Sequence, residues 1–152
     1  MGEKLHKVSS RGLWISIGVI LALLAVQAFS GNWITFLFHL PGAPDVGPAF
    51  TKAMVSLSLY HIIAGFASII ISILILVFAF MSKSNIYVRI FSVLGFIITA
   101  SAIVGGVEYV HSMYADRWPL GQMADSFVGA FAAYFIQLLF MLKVPEFLKK
   151  KK

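Results

Sequence analysis

The chain has 152 residues, of which 60% are hydrophobic and 12% are charged, and its mean hydropathy is +0.92. A soluble domain is about 45–50% apolar and about 25% charged, so this composition excludes an ordinary soluble enzyme and indicates a protein of the lipid bilayer. The absence of cysteine excludes disulfides, thiolate metal sites and iron–sulfur clusters. The formal net charge is +6, but the basic residues stand at the ends of apolar segments, so we expect no nucleic-acid partner.

Four apolar segments follow in chain order, and each is long enough for a membrane helix, which needs about 20 residues. They cover approximately residues 13–37, 55–80, 87–110 and 124–142. We interpret the first as a membrane span and not as a cleaved signal peptide, because apolar residues continue past the small-residue site at Ala28. A connector rich in Gly and Pro follows it, and Pro48 is well placed to begin the second helix. A polar loop from Ser112 to Met123 precedes the fourth segment.

The distribution of basic residues predicts the topology. A short polar turn at residues 81–85 predicts that the second and third helices form an antiparallel hairpin. Ten of the twelve Lys and Arg residues lie at the N-terminus, in the 81–89 region or at the C-terminus, and basic residues collect on the cytoplasmic side of a membrane. We therefore predict an all-α integral membrane protein, a four-helix up-down bundle forming a single domain over residues 1–152. Both termini are expected in the cytoplasm, and the multi-pass protein in the plasma membrane.

The ionisable residues of the helices indicate where a functional site lies. Such residues are costly inside a membrane helix and by default mark a functional site. Here they are His39, His61, Glu108 and His111. At about 1.5 Å per residue, the three histidines lie roughly 32–40 Å from the cytoplasmic ends of their helices. All three therefore reach the outer leaflet, where we expect a single cluster.

Small and amide residues predict how the helices pack. Small residues form two stripes, one below His61 in the second helix and one in the third helix: Gly65, Ser68 and Ser72, and then Gly95, Thr99, Ala102 and Gly106. The first stripe either allows close helix packing or leaves a groove for a flat cofactor beneath the histidine, and we interpret the second as a packing seam. We expect Gln27 and Gln137 to form hydrogen bonds between helices.

The most specific functional hypothesis is a b-type haem protein that transfers electrons. Membrane bundles hold cofactors between their helices, and histidine is a common axial ligand of haem iron. We expect His61 and His111 to be the ligands and Arg117 to neutralise a haem propionate. Adjacent helices are only about 8–10 Å apart, so His39, on the helix diagonal to the third, is an alternative to His61. Any enzymatic activity is expected to be that of an oxidoreductase, with a membrane redox partner or a quinone.

Three other interpretations stay open. A divalent metal such as Zn, Cu, Mn or Fe suits imidazole and carboxylate ligands, here His39, His61, His111 and Glu108. The Glu108-x-x-His111 spacing also occurs in di-iron bundles, but those need a second such motif, and Glu108 is more simply explained by a hydrogen bond to Tyr60, Tyr109, Lys52 or a histidine. The chain is alternatively a non-catalytic subunit or scaffold in a homo- or hetero-oligomer, or a transporter of small solutes.

Overall fold

The computed structural model describes residues 2–38, 48–82, 84–111 and 117–143. Within these ranges the chain forms four α-helices and no strand: α1 (Gly2–Phe38), α2 (Pro48–Met81), α3 (Ile86–His111) and α4 (Arg117–Met141). Each helix contains a stretch long and apolar enough to cross a membrane: Val8–Gly31, Val55–Met81, Ile86–Glu108 and Gln122–Met141. The prediction of an all-α, multi-pass membrane protein with four spans is therefore confirmed.

Two helices begin earlier than the apolar pattern predicts. The first helix starts at Gly2 and includes the basic leader, which is the N-terminal segment with Lys4, Lys7 and Arg11. The fourth starts at Arg117, so the prediction of a loop extending to Met123 is wrong. Pro119 is compatible with this start because the first N–H groups of a helix have no acceptor within the helix, and proline therefore loses no bond there. The second helix begins at Pro48, as predicted.

The helices form a ring in chain order. Helix α1 packs against α2 and α4, and α3 packs against the same two neighbours, so α1 and α3 are diagonal. Between α2 and α3, the backbone N–H of Ser82 donates to the carbonyl of Phe78 at 2.9 Å, and Asn85 caps α3 by accepting from the N–H of Tyr87 at 3.1 Å. We call the end of the bundle with this turn the basic end, and the end where α2 begins and α3 finishes the histidine end.

The interior of the bundle contains nearly as many buried polar residues as buried apolar ones. An apolar cluster fills the half nearer the basic end: Leu13, Ile17, Ile20, Leu24, Ile75, Ala79, Val88, Ala130 and Tyr134. The buried polar residues are mostly serines, and several donate their hydroxyl proton to the carbonyl four residues earlier. Large apolar side chains such as Ile15, Phe29 and Val107 are exposed. This arrangement suits a bilayer, where small residues and hydrogen bonds, more than hydrophobic burial, hold helices together.

The small-residue stripe of α3 is a packing seam, as predicted, and its partner is α4. A Cβ atom built on Gly95 would lie 2.6 Å from two ring carbons of Tyr134, and one on Gly106 would lie 3.3 Å from the sulfur of Met123. The hydroxyl of Tyr134 crosses the bundle and donates to Oγ of Ser72 on the diagonal helix α2, at 2.8 Å. Gly95 therefore provides the space in which this side chain lies.

Both predicted interhelical glutamine bonds are confirmed. The hydroxyl of Ser68 shares its one proton between the carbonyl of Ala64, at 2.8 Å, and Oε1 of Gln27, at 3.3 Å, and this bifurcated bond joins α1 to α2. Nε2 of Gln137 donates to Oγ of Ser92 at 2.7 Å, which joins α4 to α3. Gln137 is fully buried, and its Oε1 has no hydrogen-bond partner in the described part of the chain.

Candidate functional site

His61 lies on the buried stripe of α2, within the membrane-spanning segment. It precedes Ala64 and Ser68, both buried, on the same side of the helix, and its own side chain is half-buried. The span Val55–Met81 has its middle at Ser68, which is seven residues, or about 10 Å, from His61. The hydrocarbon core extends about 15 Å from its middle. His61 is therefore an ionisable group inside the apolar layer, where a partner or a ligand is expected.

A serine on the neighbouring helix holds the imidazole ring of His61. Oγ of Ser30 lies 2.9 Å from Nδ1 of His61, and the hydroxyl of Ser30 donates to the carbonyl of Gln27 at 3.2 Å. We assign the proton of this pair to Nδ1, with Oγ of Ser30 as its acceptor, because the one proton of the hydroxyl is then free for the carbonyl of Gln27. In the neutral imidazole this tautomer leaves the lone pair on Nε2, the atom through which a histidine ligates a metal.

Gly31 sets the position of the ring against α1. A Cβ atom at this position would lie 3.1 Å from Cε1 and 3.9 Å from Nε2 of His61. A larger side chain here would meet Cε1 of the imidazole, so the glycine permits the close approach of the two helices. Ser30 and Gly31 together fix the ring from the α1 side.

The stripe below His61 is a packing surface and not an open groove. A Cβ atom on Gly65 would lie 3.2 Å from the side-chain amide of Gln27, and Ser68 bonds to the same glutamine. These contacts confirm close packing as the role of the stripe. The space beneath His61 is thus filled by α1.

The two histidines proposed as a pair stand at different levels. Tyr134 contacts both Ser72 and Gly95, which places these positions of α2 and α3 at about the same height. His61 is 11 residues from Ser72, and His111 is 16 residues from Gly95, or about 16 Å and about 24 Å towards the histidine end. The backbones of the two histidines therefore differ in height by about 8 Å.

The register of α3 gives position 111 a different face from that of Gly95. Position 111 is 16 residues after Gly95, and at about 100° per residue this leaves it rotated by about 160° around the helix axis from Gly95. It continues the face of Val104 and Val107, which are 52% and 60% exposed. The side chain of His111 is outside the described part of the structure. In the described residues, the backbone does not bring positions 61 and 111 onto facing sides of α2 and α3.

Glu108 stands at the edge of the apolar layer. It is exposed, and it is 11 residues from the middle of the span Ile86–Glu108, or about 16 Å, which is the level of the lipid headgroups. In the described chain it makes no hydrogen bond to Tyr60 or Lys52. A carboxylate at this level is hydrated and needs no protein partner.

The remaining site residues lie outside what the structure describes. His39 falls in the undescribed segment 39–47, and Arg117 is described only as the first backbone position of α4. Among the described residues, no group of three or more His, Cys, Asp or Glu side chains is placed to hold a metal ion. Of the predicted histidine ligands, His61 is therefore the one whose side chain lies in the described part of the structure.

Sequence reasoning did not identify the α1 side of the site. The signal for it was the polar and small patch at Gln27, Ser30 and Gly31, whose spacing of three and four residues places them on one face of a helix. This face of α1 packs against His61 and Ser68 of the antiparallel helix α2.

The chain matches no known protein family, no curated protein and no solved structure.

Proposed function

We propose that this protein binds haem b in the membrane and transfers electrons, with Nε2 of His61 as an axial ligand of the iron. The observation that carries the proposal is the bond between Ser30 and Nδ1 of His61. A histidine that ligates a metal almost always donates its other ring N–H to a fixed acceptor, which sets the tautomer and the ring orientation. Oγ of Ser30 occupies the place of that acceptor.

The surroundings of His61 suit such a ligand. The ring is fixed on one side by Ser30 and Gly31, and it lies within the apolar layer, away from the charged ends of the helices. A fixed imidazole in a medium of low polarity lowers the reorganisation that accompanies a change of charge at the metal. Haem supplies the one-electron chemistry when bound, and this chain contributes the orientation of the ligand and the exclusion of water.

The second axial ligand is proposed to be His111 or His39. The sequence favours His111, although position 111 lies about 8 Å higher than His61 and on another face of α3. His39 belongs to the segment that follows α1, which is diagonal to α3. Arg117, at the start of α4, is the proposed partner of a propionate.

We also propose a topology and redox partners. With both termini in the cytoplasm, the histidine end faces the outer side of the plasma membrane. A haem there would exchange electrons with a membrane protein or a quinone.

An absorption spectrum of the detergent-purified protein tests the proposal. We expect a Soret band and sharp α bands in the reduced state, lost in His61→Ala and in either His39→Ala or His111→Ala, whereas His6→Ala in the basic leader serves as the matched control and keeps them. A preparation that stays colourless and takes up no added haem would refute the proposal. Elemental analysis of that preparation then distinguishes a divalent metal site from a non-catalytic subunit, which would contain no metal.

A second variant tests the role of Ser30. Ser30→Ala leaves His61 in place but removes the acceptor of Nδ1, and we expect about 10-fold weaker haem binding and a shifted midpoint potential, because partners of this kind change metal affinity about 10–100-fold. Ser56→Ala is the control, since its hydroxyl donates to the carbonyl of Lys52 on its own helix. Equal haem affinity and potential in both variants would contradict the assigned tautomer.

A further inference from the structure

The backbone of Arg89 lies near the edge of the apolar layer, at the basic end of the bundle. It lies in the first turn of α3, where its N–H donates to the carbonyl of Asn85. It is eight residues from the middle of the span Ile86–Glu108, or about 12 Å, whereas the hydrocarbon core extends about 15 Å from its middle. A long side chain near the end of a membrane helix extends its charge towards the headgroup level, where it meets anions.

No protein group among the described residues neutralises this arginine. Its Nε is buried and has no hydrogen-bond partner there, and its guanidinium carbon lies 5.6 Å from the ring centroid of Phe80. The two acidic residues whose side chains are described, Glu108 and Asp125, lie at the other end. Glu108 is 19 residues further along α3, or about 28 Å away.

An apolar groove opens beside Arg89 on the surface that faces lipid. Its volume is about 300 Å³, and it is lined by Phe80 at the end of α2 and by Ile86, Arg89, Ile90, Val93 and Leu94 of α3. The apolar residues continue along α3 away from the basic end, so the groove extends from the cation towards the middle of the bilayer. A cation at the headgroup side followed by an apolar groove suits the phosphate and part of one acyl chain of a phospholipid.

We infer that Arg89 and this groove bind an anionic glycerophospholipid, with the phosphate on the guanidinium and an acyl chain against Ile90 and Leu94. Arginine binds phosphate through charge-assisted hydrogen bonds, and basic pockets between membrane helices recognise anionic headgroups. The phosphate then meets the accessible part of the guanidinium, which has no anionic partner among the described residues. The acyl chain covers the apolar floor of the groove, which selects a lipid over a free anion.

Lipid binding to the delipidated, detergent-purified full chain tests this inference by native mass spectrometry. We expect dioleoyl phosphatidylglycerol to bind about 10-fold more tightly than dioleoyl phosphatidylcholine, and Arg89→Gln to abolish that preference. Arg11→Gln removes an exposed arginine of α1 at the same end and is expected to retain it. An equal preference for phosphatidylglycerol in the Arg89 variant would overturn the inference.

A second pair of variants tests the acyl chain separately from the charge. Ile90→Trp fills the groove and is expected to weaken phosphatidylglycerol binding at least about 5-fold, whereas Ile97→Trp, two turns further along the same exposed face, is expected to leave it unchanged. Inorganic phosphate at millimolar concentration should not displace the lipid. Displacement by phosphate, or equal binding in Ile90→Trp and Ile97→Trp, would show that Arg89 attracts anions without a lipid site.

Discussion

Replacement of Gly95 by alanine tests how tightly α3 and α4 pack. The new Cβ would lie 2.6 Å from Cε1 and Cζ of Tyr134, whereas ordinary contacts are 3.4–4 Å, so the ring must withdraw by about 1 Å. Tyr134 is fully buried and its hydroxyl is bonded to Ser72, so this movement strains the core and weakens that bond. Overpacking costs about 1–3 kcal/mol, and an interhelical bond in a membrane contributes about 0.6 kcal/mol on average.

Gly18→Ala is the matched control for this variant. No heavy atom lies within 4 Å of a Cβ built on Gly18, so alanine there gains helix propensity, up to about 1 kcal/mol, without a clash. The same gain applies to Gly95→Ala and cancels in the comparison. We therefore expect Gly95→Ala to be about 2–4 kcal/mol less stable than Gly18→Ala.

The free energy of unfolding of each variant can be measured by reversible SDS titration in mixed micelles, followed by circular dichroism. A difference below about 0.5 kcal/mol between the two variants, within the scatter expected of neutral substitutions, would refute the packing argument. A double-mutant cycle with Tyr134→Ala adds a sharper test. The penalty at Gly95 is expected to disappear when the ring is absent, and a penalty that persists would place its cause elsewhere.

Three further substitutions test individual polar contacts by the same unfolding measurement. Tyr134→Phe keeps the ring but removes the donor to Ser72, and we expect a loss of about 0.6–1.5 kcal/mol; no loss would mean that the bond is not formed in the membrane. Gln137→Met gives up the bond to Ser92. It also removes a buried acceptor that has no partner in the described residues, and the presence of such an unpaired acceptor costs the wild type about 1–3 kcal/mol. The variant is therefore expected to be as stable as the wild type or up to about 1 kcal/mol more stable, and a clear loss would reveal an internal water on Oε1. Asn85→Ala removes the cap of α3 and is expected to lower the free energy of unfolding by about 1 kcal/mol. A change near zero would argue against capping by Asn85.

The helices were predictable because each apolar segment is longer than a soluble core requires. The start of α4 was not, because Arg117 and Pro119 resemble loop residues in sequence, whereas the first turn of a helix tolerates both. His61 was predictable as an intramembrane ionisable residue, but its partner Ser30 was not, because that contact depends on how α1 and α2 align. The level of His111 relative to His61 also required the contacts of Tyr134, which fix the vertical offset between α2 and α3.

The serine hydroxyls of the interior have a consequence for the order of assembly. Ser72 and Ser92 each donate their proton to a carbonyl of their own helix, so each helix can enter the bilayer with these groups already satisfied. The bonds from Tyr134 and Gln137 then use the free lone pairs of the same oxygens. Helix association therefore adds bonds without breaking any, and insertion of the separate helices can precede their docking without a polar penalty at these two positions.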